Sequence, residues 1–130
     1  MDFQLNKDKG GFNMKKAITA VLLASFVGLF SLAADVLSFK GDIVDNMCVA
    51  ENKDNLAEFL KTHTKECALM SDCIASGYSI FADGKLYKFD QASNKKIEEF
   101  LRQPDSKLQV VVKAEKVGTK LKLVSIQNQK

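Results

Sequence analysis

All three cysteines and the only histidine of this 130-residue chain lie in one short segment. Their spacing is Cys48-x14-His63-x3-Cys67-x5-Cys73. Thiolate and imidazole groups are ligands that transition metals prefer, and a pair of exported thiols readily forms a disulfide. The segment must therefore fold so that these side chains converge on an ion or on a sulfur–sulfur bond, which restricts the folds open to the chain.

Residues 14–33 have the organisation of a secretory signal peptide. A basic start is followed by an apolar run over residues 17–32, and Ser31 and Ala33 are the small residues that a signal peptidase recognises. The apolar run is shorter than the about 20 residues of a membrane-spanning helix. We therefore expect export to a periplasm or to the outside of the cell, without stable membrane insertion after cleavage.

These signals divide the chain into three parts. Residues 1–13 are polar and are interpreted as a non-native upstream extension, residues 14–33 as the signal peptide and residues 34–130 as a single domain. A domain of this size buries only enough apolar surface for a thin margin of stability. A metal ion or a disulfide would therefore contribute substantially to its folding.

Outside the Cys/His segment, apolar alternation and turn residues predict five strands and one helix. Asp83-Gly84 between two short alternating runs is typical of a two-residue hairpin turn. Ser93 or Asn94 is expected to begin the helix and Pro104 to stop it. The predicted strands cover residues 36–44, 78–82, 85–89, 108–114 and 121–126.

The order strand, insertion, hairpin, helix, hairpin predicts a mainly β fold with short helices, of the α+β class. It is the order of an OB-fold, a five-stranded antiparallel barrel, with the Cys/His segment as a helical insertion between strands 1 and 2. The alternative is an open antiparallel α+β sheet with the helix laid across it. A long insertion in a compact domain needs a fastening or a function.

The insertion itself carries a helical pattern. Asp54 or Asn55 can cap a helix in which Leu56, Phe59, Leu60 and His63 share one face. Cys67 follows His63 by four residues, so both side chains would stack if the helix continued. Cys48 is expected just past the first strand, and Cys73 in the turn before the hairpin.

The joint spacing of several motifs resembles a family of small exported bacterial OB-like domains of unknown function. This resemblance implies the fold and the export of the chain, and it implies no activity. The motifs are Phe39-Lys-Gly41-Asp-Ile43-Val-Asp45-x-x-Cys48, His63-x3-Cys67-Ala68 with Cys73, Ser76-Gly77-Tyr78, and Asp83-Gly84-Lys85-x-Tyr87-x-Phe89-Asp90.

Three interpretations of the Cys/His segment are open. A Cys3His metal site would use Cys48, His63, Cys67 and Cys73 together, with zinc as the expected ion and copper as the second choice. One disulfide would leave an odd thiol, and a Cys–His pair could make a thiol reactive. Metal binding is favoured because it accounts for all four side chains.

Other residues near the cluster are given plainer interpretations. The acidic residues around Cys48 are expected to be solvated charges, and the two nearby methionines to fill gaps in the core. Of the four hairpin aromatics, half are expected in the core, and the lysines of the later strands on a solvated face. These residues are Asp42, Asp45, Glu51 and Asp54; Met47 and Met70; Tyr78, Phe81, Tyr87 and Phe89; Lys85, Lys88, Lys113, Lys116, Lys120 and Lys122.

The function predicted from the sequence is the binding of a transition metal in a structural or metal-handling role. The alternative is a disulfide-stapled module that binds a small ligand or a protein partner. Nucleic-acid binding is not expected, because the chain is predicted to be exported and its formal net charge is only +3. The sequence has no recognisable catalytic motif, so enzymatic activity is not predicted.

Overall fold

The structure is a computed structural model that describes residues 34–130, so the predicted upstream extension and signal peptide lie outside the described residues. The described part is α+β, as predicted. Its strands are β1 (Val36–Asp45), β2 (Tyr78–Ala82), β3 (Lys85–Lys88), β4 (Gln109–Val117) and β5 (Lys120–Asn128). Its helices are α1 (Asn46–Glu51), α2 (Leu56–Leu60), α3 (Lys65–Ala68), α4 (Ser71–Ser76) and α5 (Gln91–Leu101), with one 3-10 turn at Lys53–Asn55.

The five strands form one antiparallel sheet in the order β3-β2-β1-β4-β5. The long strand β1 is shared: its end pairs with β2 and its earlier part with β4. Gly41 lies at this changeover, and a Cβ there would collide with the carbonyl oxygen of Phe81 on β2. Only glycine allows the two backbones to approach so closely.

The predicted hairpin of β2 and β3 is confirmed. Asp83 and Gly84 have φ values of 52° and 72°, as a two-residue turn with left-handed backbone requires. Tyr78 and Phe89 are buried while Phe81 and Tyr87 are partly exposed, so the expected division of the aromatics holds. The six lysines of strands β3 to β5 named above are all exposed, also as expected.

The sheet is not closed, so the predicted barrel is not confirmed and the alternative of an open antiparallel sheet fits. The ends of the two edge strands meet at one isolated parallel bridge, between Phe89 and Leu121, where the Asp90 amide donates to the Leu121 carbonyl at 2.9 Å. Strand β3 has only four residues, because α5 begins soon after it. It is therefore too short to form a ladder with β5.

Helix α5 supplies one side of the core. It begins at Gln91, where the Asp90 side chain caps it by accepting from the Ser93 amide at 2.9 Å, so the predicted caps Ser93 and Asn94 are wrong. Ser93 is instead buried, and its hydroxyl accepts from the Leu123 amide at 2.8 Å. Two further residues of α5, Ile97 and Leu101, are fully buried in the core of the sheet.

The insertion between β1 and β2 is helical, as predicted, but it holds four short helices, α1 to α4, where one was expected. Hydrogen bonds tie it to β2 and to the loop after α5, and it has no large core of its own. The Tyr78 hydroxyl donates to the Ala68 carbonyl at 2.8 Å, and Lys65 Nζ donates to the carbonyls of Gln103 and Ser106, both at 3.0 Å. Between residues 34 and 130, no helix combines the length and the hydropathy that crossing a membrane requires.

Candidate functional site

The candidate site begins at the last residue of β1. Asp45 caps helix α1, because its Oδ2 accepts from the Cys48 amide at 2.9 Å. An aspartate at the cap of a helix satisfies a backbone donor that has no partner within the helix. This local geometry fixes the carboxylate and the Cys48 side chain at one end of the sheet. Asp45 is fully buried, so the prediction that it is a solvated charge is wrong.

His63 completes the centre of the cluster. Its Nε2 lies 3.1 Å from Oδ1 of Asp45, and neither side chain is exposed to solvent. The ring also packs against Phe59, with the ring centroids 5.1 Å apart. The other ring nitrogen, Nδ1, is buried and has no hydrogen-bond partner within the described part of the chain. A buried polar atom without a partner is rare and calls for an explanation.

The backbone around His63 differs from the predicted continuous helix. Helix α2 ends at Leu60, and Thr64 begins α3 by accepting from the Cys67 amide at 3.2 Å. A threonine hydroxyl competes well for backbone donors, so it favours a new helix start over continuation. The predicted stacking of His63 and Cys67 on one helix face is therefore wrong.

The three cysteines occupy different depths. Cys48 is half-buried, Cys73 is buried and Cys67 is exposed, and all three are free thiols. Cys73 lies within α4 rather than in a turn, and α4 lies beside α1, because Asn46 Nδ2 donates to the Ser76 carbonyl at 2.9 Å. Asp45, Cys48, His63 and Cys73 are called the buried cluster below.

The tightest part of the buried cluster has the geometry of a metal-binding group. One potential ligand atom each from Asp45, Cys48 and His63 lies within 4.8 Å of the other two. The structure thus brings together two of the predicted ligands, Cys48 and His63, and adds Asp45, which was not predicted as a ligand. Cys73 lies on the adjacent helix α4, and Cys67 lies at the surface. Whether these side chains hold a metal stays a prediction.

Burial and hydrogen bonding oppose each other at Asp45. Burial by itself raises the pKa of the carboxyl, but hydrogen bonds from His63, from the Cys48 amide and from the two thiols lower the pKa to about 2. The side chain is therefore a carboxylate at neutral pH. Among the described residues, no lysine or arginine forms a salt bridge with it. The hydrogen bonds outweigh the effect of burial, and a cation bound at this carboxylate would add to its stabilisation.

The two inner thiols are held in the protonated form by the same surroundings. Burial, together with the hydrogen bond to Asp45 and its negative charge, raises the pKa of Cys48 to about 12. Burial and Asp45 likewise raise the pKa of Cys73. A thiol with a raised pKa is a poor nucleophile, because the thiolate is the reactive species. A metal ion would reverse this situation by binding the thiolate directly.

The neighbouring residues depart in part from their predicted roles. Met47 and Met70 are 40% and 61% exposed, so the prediction that they fill gaps in the core is wrong. Glu51 and Asp54 are exposed, as expected for solvated charges. Asp42 is half-buried in β1 and accepts from the Gln109 side chain at 3.0 Å.

One sequence signal could have identified Asp45. The spacing Asp45-x-x-Cys48 directly after a strand is that of a capping aspartate and the third residue of a helix, which brings the carboxylate to the Cys48 amide. Burial of the carboxylate, in contrast, depends on the tertiary packing of His63 and Cys73, which belong to the insertion.

Comparisons of the chain with protein families, with curated proteins and with solved structures give no match. The resemblance drawn from the motif spacing therefore stays a prediction, and the function is argued from the site alone.

Proposed function

We propose that this chain is an exported domain that binds one zinc ion through Asp45, Cys48, His63 and Cys73. The observation that carries the proposal is the convergence of a buried carboxylate, a buried imidazole and a half-buried thiol within 4.8 Å, with Cys73 on the adjacent helix α4. Carboxylate, imidazole and thiolate are the three side-chain groups that bind zinc in proteins.

Zinc is favoured over copper by the chemistry of this set. One oxygen, one nitrogen and two sulfurs fill a tetrahedron, which is the usual geometry of structural zinc. Copper(I) prefers thiolate and thioether ligands, and the buried cluster contributes a carboxylate where a further sulfur would be needed. The thioethers of Met47 and Met70 are largely exposed to solvent.

A binding role is favoured over a catalytic one. Four protein ligands would leave zinc no open position for a water molecule or a substrate, and such closed sites are structural or serve to carry the ion. The raised pKa values of Cys48 and Cys73 also disfavour a reactive thiol in the metal-free protein.

The composition of the insertion supports a structural contribution. Within residues 46–76 the buried side chains are only Leu60, His63, Ala68 and Cys73. Two of these four belong to the buried cluster, so the insertion has almost no apolar core that would hold it without the site. A structural zinc ion supplies on the order of 10 kcal/mol of apparent binding free energy, enough to fasten such a segment.

The experiment is native mass spectrometry of the full chain, produced in its own export pathway and purified with reductant and without chelator. We expect one zinc ion per molecule in the native protein. The Cys73→Ser variant should lose the ion, and the matched Cys67→Ser variant should retain it, because Cys67 is exposed and outside the buried cluster. A zinc-free native protein, or equal loss in both variants, would contradict the proposal.

A second candidate function is that of a disulfide-stapled module that binds a small ligand or a protein. The placement of Cys48 and Cys73 on the adjacent helices α1 and α4 favours it, since a disulfide would join these two neighbouring helices. In protein purified without reductant, an intact mass two hydrogens below that of the reduced chain, with no metal bound, would favour this candidate over zinc binding.

Two finer features are proposed with the function. Export is supported by the leader-like pattern of residues 14–33, and cell fractionation tests it.

An OB-like curvature of the sheet is supported by the sharing of β1 between two partners and by the Phe89–Leu121 bridge between the edge strands. Nuclear Overhauser contacts between the ends of β3 and β5 test this curvature.

A further inference from the structure

The two inner cysteines of the buried cluster approach each other from different helices. Cys48 is carried by α1 and Cys73 by α4, and these two helices lie side by side. The helices are fastened beside them, because Asn46 Nδ2 donates to the Ser76 carbonyl at 2.9 Å and the Met47 amide donates to the Ser76 hydroxyl at 3.0 Å. These two bonds keep the helices that carry the sulfur atoms side by side.

Oxidation of Cys48 and Cys73 would remove ligands from the proposed zinc site, whereas oxidation of Cys67 would not. A disulfide between Cys48 and Cys73 would take both sulfur ligands from the site and leave only the Asp45 carboxylate and the His63 imidazole. A modification of the exposed Cys67 would leave all four ligands in place. The half-buried Cys48 is also the more accessible of the two inner thiols, since Cys73 is only 6% exposed.

We propose that Cys48 and Cys73 form a reversible disulfide that expels the metal ion, so that the reduced chain holds zinc and the oxidised chain does not. This inference rests on the proposed zinc site and makes that site redox-regulated. The oxidant would be a low-molecular-weight disulfide, and a small thiol would restore the site.

The chemistry is a thiol–disulfide exchange in two steps. In the zinc-loaded chain Cys48 is a thiolate, because metal binding displaces its proton. This thiolate attacks one sulfur of the small disulfide, which forms a mixed disulfide and releases one small thiolate. The Cys73 thiolate then attacks the Cys48 sulfur and releases the second small thiolate. The two protein sulfurs lose two electrons in total, the small disulfide gains them, and its two thiolates take up two protons from solvent.

The test uses the full chain purified under reductant and loaded with one equivalent of zinc. Binding of zinc by the reduced protein is measured first, so a failure of the proposed function is seen before any oxidant is added. Glutathione disulfide is then titrated in, the released zinc is followed with a chromogenic chelator, and the intact mass and the position of the disulfide are determined by mass spectrometry.

We expect one zinc ion to be released for each Cys48–Cys73 disulfide formed, and zinc affinity to fall at least about 100-fold on oxidation, because even loss of a supporting contact to a ligand costs about 10- to 100-fold. Reduction with added zinc should reload the site. The Cys67→Ser variant should respond like the native protein, whereas Cys73→Ser should stop at the mixed disulfide.

Two outcomes would overturn the inference while leaving zinc binding intact. One is an oxidised protein that carries the Cys48–Cys73 disulfide and still binds zinc with unchanged affinity. The other is a disulfide that maps to Cys67, or an oxidation that leaves Cys48 and Cys73 as thiols while zinc is released.

Discussion

The imidazole Nε2 of His63 lies 3.1 Å from the Oδ1 atom of Asp45, and both side chains are shielded from solvent. The residues are far apart in the sequence and come from different parts of the fold, one from the end of β1 and the other from the insertion. Their contact places a carboxylate whose pKa is about 2 beside two free thiols. The proposed zinc site and its redox sensitivity both depend on this arrangement.

Replacement of Asp45 by asparagine should separate its charge from its role as a helix cap. Asparagine caps helices about as well as aspartate, so the fold should be retained. The neutral amide binds zinc poorly, and we expect at least about 100-fold weaker zinc binding, measured by competition with a chelator of known affinity. Asp42→Asn is the matched control, because Asp42 lies on the same strand and contacts Gln109 instead. Equal losses in both variants would rule out a ligand role for Asp45.

Zinc affinity should rise steeply with pH. The pKa values of Cys48 and Cys73 are raised in the metal-free protein, that of Cys48 to about 12, so both thiols carry protons at neutral pH. Zinc binds thiolates, and binding must release both protons. The affinity should therefore increase about 100-fold per pH unit between about pH 6.5 and 8, after correction for the chelator's own titration. Isothermal titration in buffers of different ionisation enthalpy would count the protons, and a count below one would contradict two thiolate ligands.

Zinc should stabilise the insertion more than the sheet. The insertion buries few side chains of its own, so in the metal-free protein its amides should exchange with solvent readily. We expect zinc to slow hydrogen exchange about 10-fold or more across α1 to α4, measured by mass spectrometry on peptides. Peptides from β4 and β5 are the internal control and should change less. A uniform effect over both regions would argue against local fastening.

The sheet should depend on Gly41 more than on the turn glycine. Alanine at position 41 would drive a methyl group into the Phe81 carbonyl, and we expect a loss of about 3 kcal/mol or more in the free energy of unfolding. Gly84→Ala is the matched control: Gly84 has a φ of 72° but no atom close to an added Cβ, so the cost should be about 1 kcal/mol. Urea unfolding measures both variants. A smaller loss at position 41 than at position 84 would contradict the close approach of β1 and β2.

The parts of the structure that were predictable from the sequence are those set by local rules. Alternation and the Asp83-Gly84 turn predict the hairpin because backbone geometry at a two-residue turn depends on those residues alone. The strand order and the insertion between β1 and β2 follow from the order of the elements. Closure of the sheet could not be predicted, because it depends on how far β3 extends before Asp90 begins α5.

The site was predictable by residue type and only partly by position. Thiols and imidazole are scarce in this chain, so the sequence alone identifies Cys48, His63 and Cys73 as candidate ligands. The sequence does not identify Asp45, because the chain has many carboxylates and burial is a tertiary property. The exposure of Cys67 depends on the helix break at Thr64, where a local hydroxyl cap prevails over continuation of α2.

The most direct test of the account is zinc K-edge X-ray absorption spectroscopy on the reduced, zinc-loaded chain. Zinc–sulfur distances of about 2.3 Å differ clearly from zinc–nitrogen and zinc–oxygen distances of about 2.0 Å, so the spectrum counts each ligand type. The buried cluster predicts two sulfur and two nitrogen or oxygen ligands, unchanged in Cys67→Ser. A shell of three sulfurs that falls to two in Cys67→Ser would place Cys67 in the site and contradict the role given to Asp45.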